Sequence, residues 1–233
     1  MTSFWRAGYF ADPLRVTLEH QDGSGRFDDP ERGRIVLYGA SSIRTCIFEV
    51  VLPWIAGDDE YVHSSPTELD LEDANDQALA AAIAIDAVRD GLIATRQRRM
   101  PQTIYEKAKV RATLEHDARL VDLNSPGVRM QLHDRIAFVA QRLRSLGIDR
   151  GQFDKSPLTS QHLDITRAIS GFLMRNDFDG ERPDGIACDS RHDGINFVFF
   201  EGRYVICENN APIQFTPYDA DIVSVAAELG WEP

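Results

Sequence analysis

Four residues in the first fifty have the types that anion binding and cation stabilisation require. Arg6 lies in Phe4-Trp5-Arg6-Ala7-Gly8, and Arg26 follows the glycine-flanked turn Gly23-Ser24-Gly25. Tyr38 ends the apolar run Ile35-Val36-Leu37, and Glu49 falls inside an amphipathic stretch. Guanidinium groups bind phosphate oxygens through paired, charge-assisted hydrogen bonds. The glycines before Arg26 allow close approach of a ligand backbone or phosphate. Two fixed cations, a phenol and a carboxylate are the parts needed to hold an anionic dinucleotide and to stabilise a positive charge formed on its sugar. Each residue also has an ordinary structural reading. Arg6 is equally a strand-edge charge, Tyr38 a core residue, and Glu49 a boundary residue whose head reaches water. Ser190, much later in the chain, reads alone as a turn residue bonding its own backbone.

The elements that must position these residues are partly legible. Phe4-Trp5-Arg6 predicts a first strand. Asp22 to Gly25 predicts a turn that continues as loop through Pro30. Residues 34–38 predict a buried strand bounded by Gly33 and Gly39. Ser41 or Ser42 is placed to cap a helix carrying Ile43, Ile47, Val50 and Val51 on one face, with Glu49 one position off that stripe and Pro53 at its end. Asp58 to Asp76 is acidic and turn-rich, and Ala78 to Val88 has strong helix propensity. The basic cluster Arg96-Gln97-Arg98-Arg99 reads as a solvated loop or helix end. Arg111 to Leu123 holds one or two strands. Val128, Leu132, Ile136, Val139, Leu143 and Leu146 recur at steps of three and four, predicting one helix stopped by Gly147. Thr159 or Ser160 opens a further helix with Ile165, Ile169, Phe172 and Leu173 inward. Gly185 to Cys188 leads to the polar turn Asp189-Ser190-Arg191. Asn196 to Phe200 and Arg203 to Cys207, separated by Glu201-Gly202, predict a hairpin, and Ala220 to Leu229 predicts a last helix. Residues 1–233 therefore read as a single α+β domain, with helices between an early and a late group of strands and a less legible middle at about residues 58–158.

Composition narrows the class. The chain has 233 residues, with 43% hydrophobic and 27% charged, the balance of a folded domain. No apolar run reaches the ~20 residues of a membrane helix, and the N-terminus lacks a secretory pattern. Cys46, Cys188 and Cys207 are scattered and odd in number, which fits a reducing cytoplasm and three small hydrophobes. The 6 histidines form no HExxH or close pair, so no metal site is expected. A net charge of −12 argues against nucleic acid as the main partner. Neither a Rossmann GxGxxG nor a P-loop motif is present.

Taken in order, Arg6 in FWRAG, Arg26 in SGRF, Tyr38 in VLYGAS, Glu49 in the following helix and Ser190 in PDGIACDSRHDGINFVFF resemble the RES-domain family, whose characterised members are NAD-degrading bacterial toxins. The chain departs from the Gly-Gly-Arg-Trp-Asn common around the second arginine, carrying Ser24-Gly25-Arg26-Phe27-Asp28. The resemblance implies a fold similar to ADP-ribosyltransferase toxins, with a split, strongly twisted sheet and a cleft for NAD. It implies that Arg6, Glu49 and Ser190 are catalytic and that Arg6, Arg26, Tyr38 and Ser190 bind substrate. It further implies cleavage of the nicotinamide–ribose bond by phosphate, giving nicotinamide and ADP-ribose 1″-phosphate, or by water. On that reading NAD is a substrate rather than a cofactor, inorganic phosphate is the co-substrate, and an antitoxin protein is the cognate partner. A protein ADP-ribosyltransferase and a non-catalytic NAD-binding or immunity module on the same scaffold are the alternatives.

Overall fold

The computed structural model describes residues 1–16, 25–28, 35–56, 98–155, 158, 163–190 and 194–233. The expected turn at Asp22 to Ser24, the acidic stretch from Asp58 to Asp76 and the alanine-rich segment from Ala78 to Val88 lie outside these residues. So do Arg96, Gln97, Arg191 and the expected helix start at Thr159 or Ser160. Among the described residues, no helix is long and apolar enough to cross a membrane.

The architecture is α+β, built on one eight-stranded sheet. In chain order the strands are β1 (Ser3–Tyr9), β2 (Val36–Ala40), β4 (Lys107–Leu114), β5 (Leu120–Asp122), β6 (Gly185–Asp189), β7 (Ile195–Phe200), β8 (Ile206–Asn209) and β9 (Ile213–Gln214), in spatial order β5-β6-β7-β2-β1-β4-β8 with β9 also on β4. The short β3 (Arg98–Arg99) and β10 (Trp231–Glu232) pair separately, in parallel. β2 pairs with β7 along its whole length and β1 with β4 along its whole length, but β1 and β2 share only the Trp5–Ala40 position. The sheet is therefore two ladders joined at one point, and it opens beyond that point.

Side-chain alternation along the strands separates two faces. Leu37 and Phe199 face one side with Phe4, Ala112 and Leu114 in one apolar cluster. Val36, Tyr38 and Ala40 face the other, which carries two helical layers side by side. The first consists of α2 (Pro126–Arg135), α3 (Ala137–Ser145) and α4 (Leu163–Leu173), packed on Val36, Ile186 and Val198. The second consists of α1 (Ile43–Ala56) and α5 (Ala220–Leu229), packed on Ala40 with Ile104 and Phe215. The seam between these layers runs beside β2.

Several boundaries differ from expectation. Gly39 does not end β2 but lies within it, paired with Phe197, and glycine is needed there because a Cβ would stand 2.4 Å from the Phe4 ring. Pro53 does not end α1, which continues to Ala56; the proline simply cannot donate to the Glu49 carbonyl one turn earlier. The long helix expected from Val128 to Leu146 is two helices, broken at Ile136 with φ −116° and ψ 94°. Its periodicity crosses the break because Leu132, Ile136, Val139 and Leu143 all enter the same core. The second half stops at Gly147, φ +72°, as expected. Arg98 and Arg99 form a short strand rather than a loop or helix end. The expected hairpin is absent: Glu201-Gly202 turns the chain, with Gly202 at φ +74°, but β7 already has β6 and β2 on its two edges. The following strand begins at Ile206 and pairs instead with β4. The last helix spans Ala220–Leu229 as expected, capped by the Asp219 side chain and closed by Gly230 at φ +67°.

Candidate functional site

α1 carries Glu49 to the seam. Ser42 caps this helix, its hydroxyl accepting from the Thr45 N–H at 3.0 Å. Ile43, Cys46, Ile47, Phe48 and Val51 bury into the layer shared with α5, which leaves the Glu49 carboxylate directed towards the other layer. There its Oε1 accepts from Ser190 Oγ at 2.9 Å and from Asn196 Nδ2 at 2.7 Å. The Arg26 guanidinium reaches the same oxygen, with Nη2 at 3.9 Å. The side chains of Arg26 and Glu49 are 14% and 29% exposed, so the pair is sheltered but the carboxylate remains reachable.

The Arg26 segment is held from several directions. Arg26 Nη1 donates to the Leu158 carbonyl at 3.0 Å, and the guanidinium carbon lies 5.8 Å from the Phe27 ring centroid. Thr166 Oγ1 donates to the Arg26 carbonyl, and Ser170 Oγ donates to the Phe27 carbonyl at 2.7 Å. Both hydroxyls are fully buried on α4, beside the inward Ile165 and Ile169. Phe27 anchors the segment in the core of that layer. Arg26 is thus fixed through its backbone, and its charge projects over the seam.

Tyr38 completes this support. Its hydroxyl accepts from the Phe27 N–H at 2.9 Å and the Asp28 N–H at 3.2 Å, and it donates to Asp28 Oδ1 at 3.3 Å. Burial, with the Asp28 carboxylate adding to it, raises the phenol's pKa well above its ordinary value, so it stays protonated. Gly25 is required here: a Cβ would lie 2.3 Å from Asp28 Oδ1 and 2.5 Å from the Tyr38 oxygen. The phenol therefore organises the turn that presents Arg26. Asp28, where the family commonly has an amide, is buried and takes part in the same turn.

Arg6 occupies the opening between β1 and β2. Its Nη1 donates to the Tyr38 carbonyl at 2.7 Å, and its Nε donates to the Pro13 carbonyl. Desolvation lowers the pKa of this guanidinium from its ordinary value, although nearby Cys46, Tyr204 and Tyr38 act in the opposite direction. The link from Arg6 to the carboxylate runs through Tyr38 and the Arg26 turn. The structure thus brings Arg26, Glu49 and Ser190 together directly and joins Tyr38 and Arg6 to them in sequence.

Ser190 stands at the end of β6, where its N–H donates to the Gly194 carbonyl at 3.1 Å. Gly194, φ +79°, packs onto the start of α1: a Cβ there would meet Thr45 Oγ1 at 2.5 Å and Ser41 Oγ at 2.7 Å. Ser41 also pairs its N–H with the Ile195 carbonyl at 2.9 Å and accepts the Ile195 N–H on its hydroxyl at 2.9 Å. These contacts fix the distance between Ser190 and Glu49. Burial pushes the Cys46 thiol up to about 12 and the Cys188 thiol up to about 11, so neither is a thiolate at neutral pH.

Asn196 was not among the residues singled out by sequence. The available signal is an amide within the otherwise apolar Ile195-Asn196-Phe197-Val198-Phe199-Phe200, a polar group that must find a partner when buried. Its carboxylate neighbour lies 147 positions earlier in the chain.

A family model described as RES domain matches residues 3–131, a span that includes Arg6, Arg26, Tyr38 and Glu49 and ends before Ser190 and Asn196. No curated protein and no solved structure matches the chain.

Proposed function

We propose, from the premise that this chain belongs to the RES-domain family, that it is an enzyme that breaks the nicotinamide–ribose bond of NAD. The observation that carries this reading is the Glu49 carboxylate, fixed by Ser190 and Asn196 and facing Arg26 across the seam. Nicotinamide leaves with the electron pair of the glycosidic bond, and positive charge builds on the ribose. A preorganised carboxylate lowers the energy of that charge as it develops, which accelerates the step without requiring tighter substrate binding. Arg26 neutralises a phosphate of the dinucleotide or of the incoming acceptor. Tyr38 and Arg6 hold the Arg26 turn and the opening of the sheet, and Ser190 sets the carboxylate.

The acceptor in this reading is inorganic phosphate. One of its oxygens forms the new bond to the ribose carbon, giving ADP-ribose 1″-phosphate and free nicotinamide. Water in the same place gives ADP-ribose and releases a proton. NAD is consumed as a substrate, and no further cofactor is needed. The protein acts as a toxin in the cytoplasm, where its substrate is found, and is kept in check by an antitoxin protein. Expression of the chain alone in a bacterium is expected to deplete cellular NAD and arrest growth. NAD at control levels, while soluble folded protein accumulates, would sink this function.

A further inference from the structure

Glu49 is held asymmetrically. Oε1 receives Ser190 Oγ at 2.9 Å, Asn196 Nδ2 at 2.7 Å and the nearest Arg26 nitrogen at 3.9 Å. Oε2 has no hydrogen bond or ion pair among the described residues. The two donors on Oε1 differ in rigidity. Ser190 follows the last residue of β6, in the turn that its N–H closes on the Gly194 carbonyl. Asn196 lies inside β7, paired with Ala40 of β2 on one side and Cys188 of β6 on the other, and is 7% exposed. An ionised carboxylate only accepts, so the face of the amide turned towards Glu49 must be its NH₂ group.

We propose that Asn196 is the positioning residue for Glu49. Its sheet-borne amide fixes Oε1, so that Oε2 is the oxygen presented to the reacting sugar. This inference rests on the reading of Glu49 as the group that stabilises the ribosyl cation. Asn196 itself touches neither NAD nor phosphate; it acts through Glu49. An amide suits this task because it donates without carrying a charge or a labile proton, leaving the negative charge of Glu49 uncompensated by a fixed cation at that contact.

The test uses Asn196→Asp and Asn196→Ala in the full chain, each checked for folding by thermal melting. kcat and KM for NAD are measured across the pH range in which both variants stay folded. Asn196→Ala should lower kcat roughly 10–100-fold, the span of a lost hydrogen bond to a charged group, with KM little changed and with the same ratio to wild type at every pH. Asn196→Asp should be the poorer enzyme at high pH, where two carboxylates face each other, and should recover towards wild type on acidification. Under acid the introduced carboxyl is protonated and can donate to Oε1, the behaviour of a coupled carboxyl pair. Equal, pH-independent losses in both variants would show a merely structural asparagine, and unchanged kcat in both would remove the role outright. The second measurement needs no turnover: with ¹³C-labelled carboxyl side chains, the Asn196→Asp pair should take up its first proton at higher pH than that at which the resonance lost in Glu49→Gln responds in wild type. An unmoved titration overturns the inference. A wild-type protein that leaves NAD intact overturns the function instead, and the carboxyl titration then decides the positioning role alone.

Discussion

Glu49→Gln is expected to lower kcat by ~10²–10³-fold while leaving NAD affinity nearly unchanged. Glutamine keeps the length of the side chain and can turn its carbonyl oxygen towards Ser190 Oγ and Asn196 Nδ2, the two donors that now meet Oε1. Geometry is therefore retained and only the charge is lost. That charge matters little to bound NAD but strongly to the ribosyl cation that forms as nicotinamide departs. A silent substitution would make Glu49 a boundary residue of α1. Weaker NAD binding with normal kcat at saturation would make it a substrate anchor. Thermal melts on the same sample separate both outcomes from unfolding.

The second large effect is expected at the arginines, and the structure makes the two differ. Arg26→Ala should raise KM for NAD or phosphate roughly 10–100-fold, because it removes a charge-assisted phosphate contact. The turn itself should persist, since Thr166, Ser170 and Tyr38 bind its backbone rather than its side chain. Arg26→Lys should rescue poorly, because an ammonium lacks the planar fork that now spans the Leu158 carbonyl and the Glu49 side of the seam. Arg6→Ala should also weaken turnover, but with a loss of stability of about 1–3 kcal/mol, since the Tyr38 and Pro13 carbonyls lose their donor in the opening between β1 and β2. Steady-state kinetics with chemical denaturation distinguishes the two. An Arg26→Ala variant with unchanged kinetics for both substrates would remove that residue from the site.

The strands that position the site were readable because β-branched and aromatic runs between turn residues have few other uses. β1, β6, β7 and the helix α5 lie where composition places them. Other features depend on partners that a local pattern does not reveal. The break at Ile136 is invisible because both helices bury the same periodic stripe. The apparent hairpin after Phe200 fails because β2, far earlier in the chain, already occupies the open edge of β7. The same limit applies at the site. Arg26 and Glu49 could be named from residue type, and Ser190 from the resemblance to the RES-domain family. The support from Thr166 and Ser170 could not, since nothing on an apolar helix face marks its hydroxyls as donors to a distant loop. Tyr38 alone read as a core residue, and no local pattern could show that its hydroxyl holds the turn beneath Arg26. Asn196 required the pairing of β7 with β2 and β6 before its amide could be placed beside a carboxylate on α1.

The most direct measurement is product identification by mass after incubating the purified protein with NAD, with and without inorganic phosphate. The account predicts free nicotinamide in both cases, accompanied by ADP-ribose 1″-phosphate when phosphate is present and by ADP-ribose when it is absent. Intact NAD under both conditions, or ADP-ribose recovered only as a covalent adduct on protein, would contradict it.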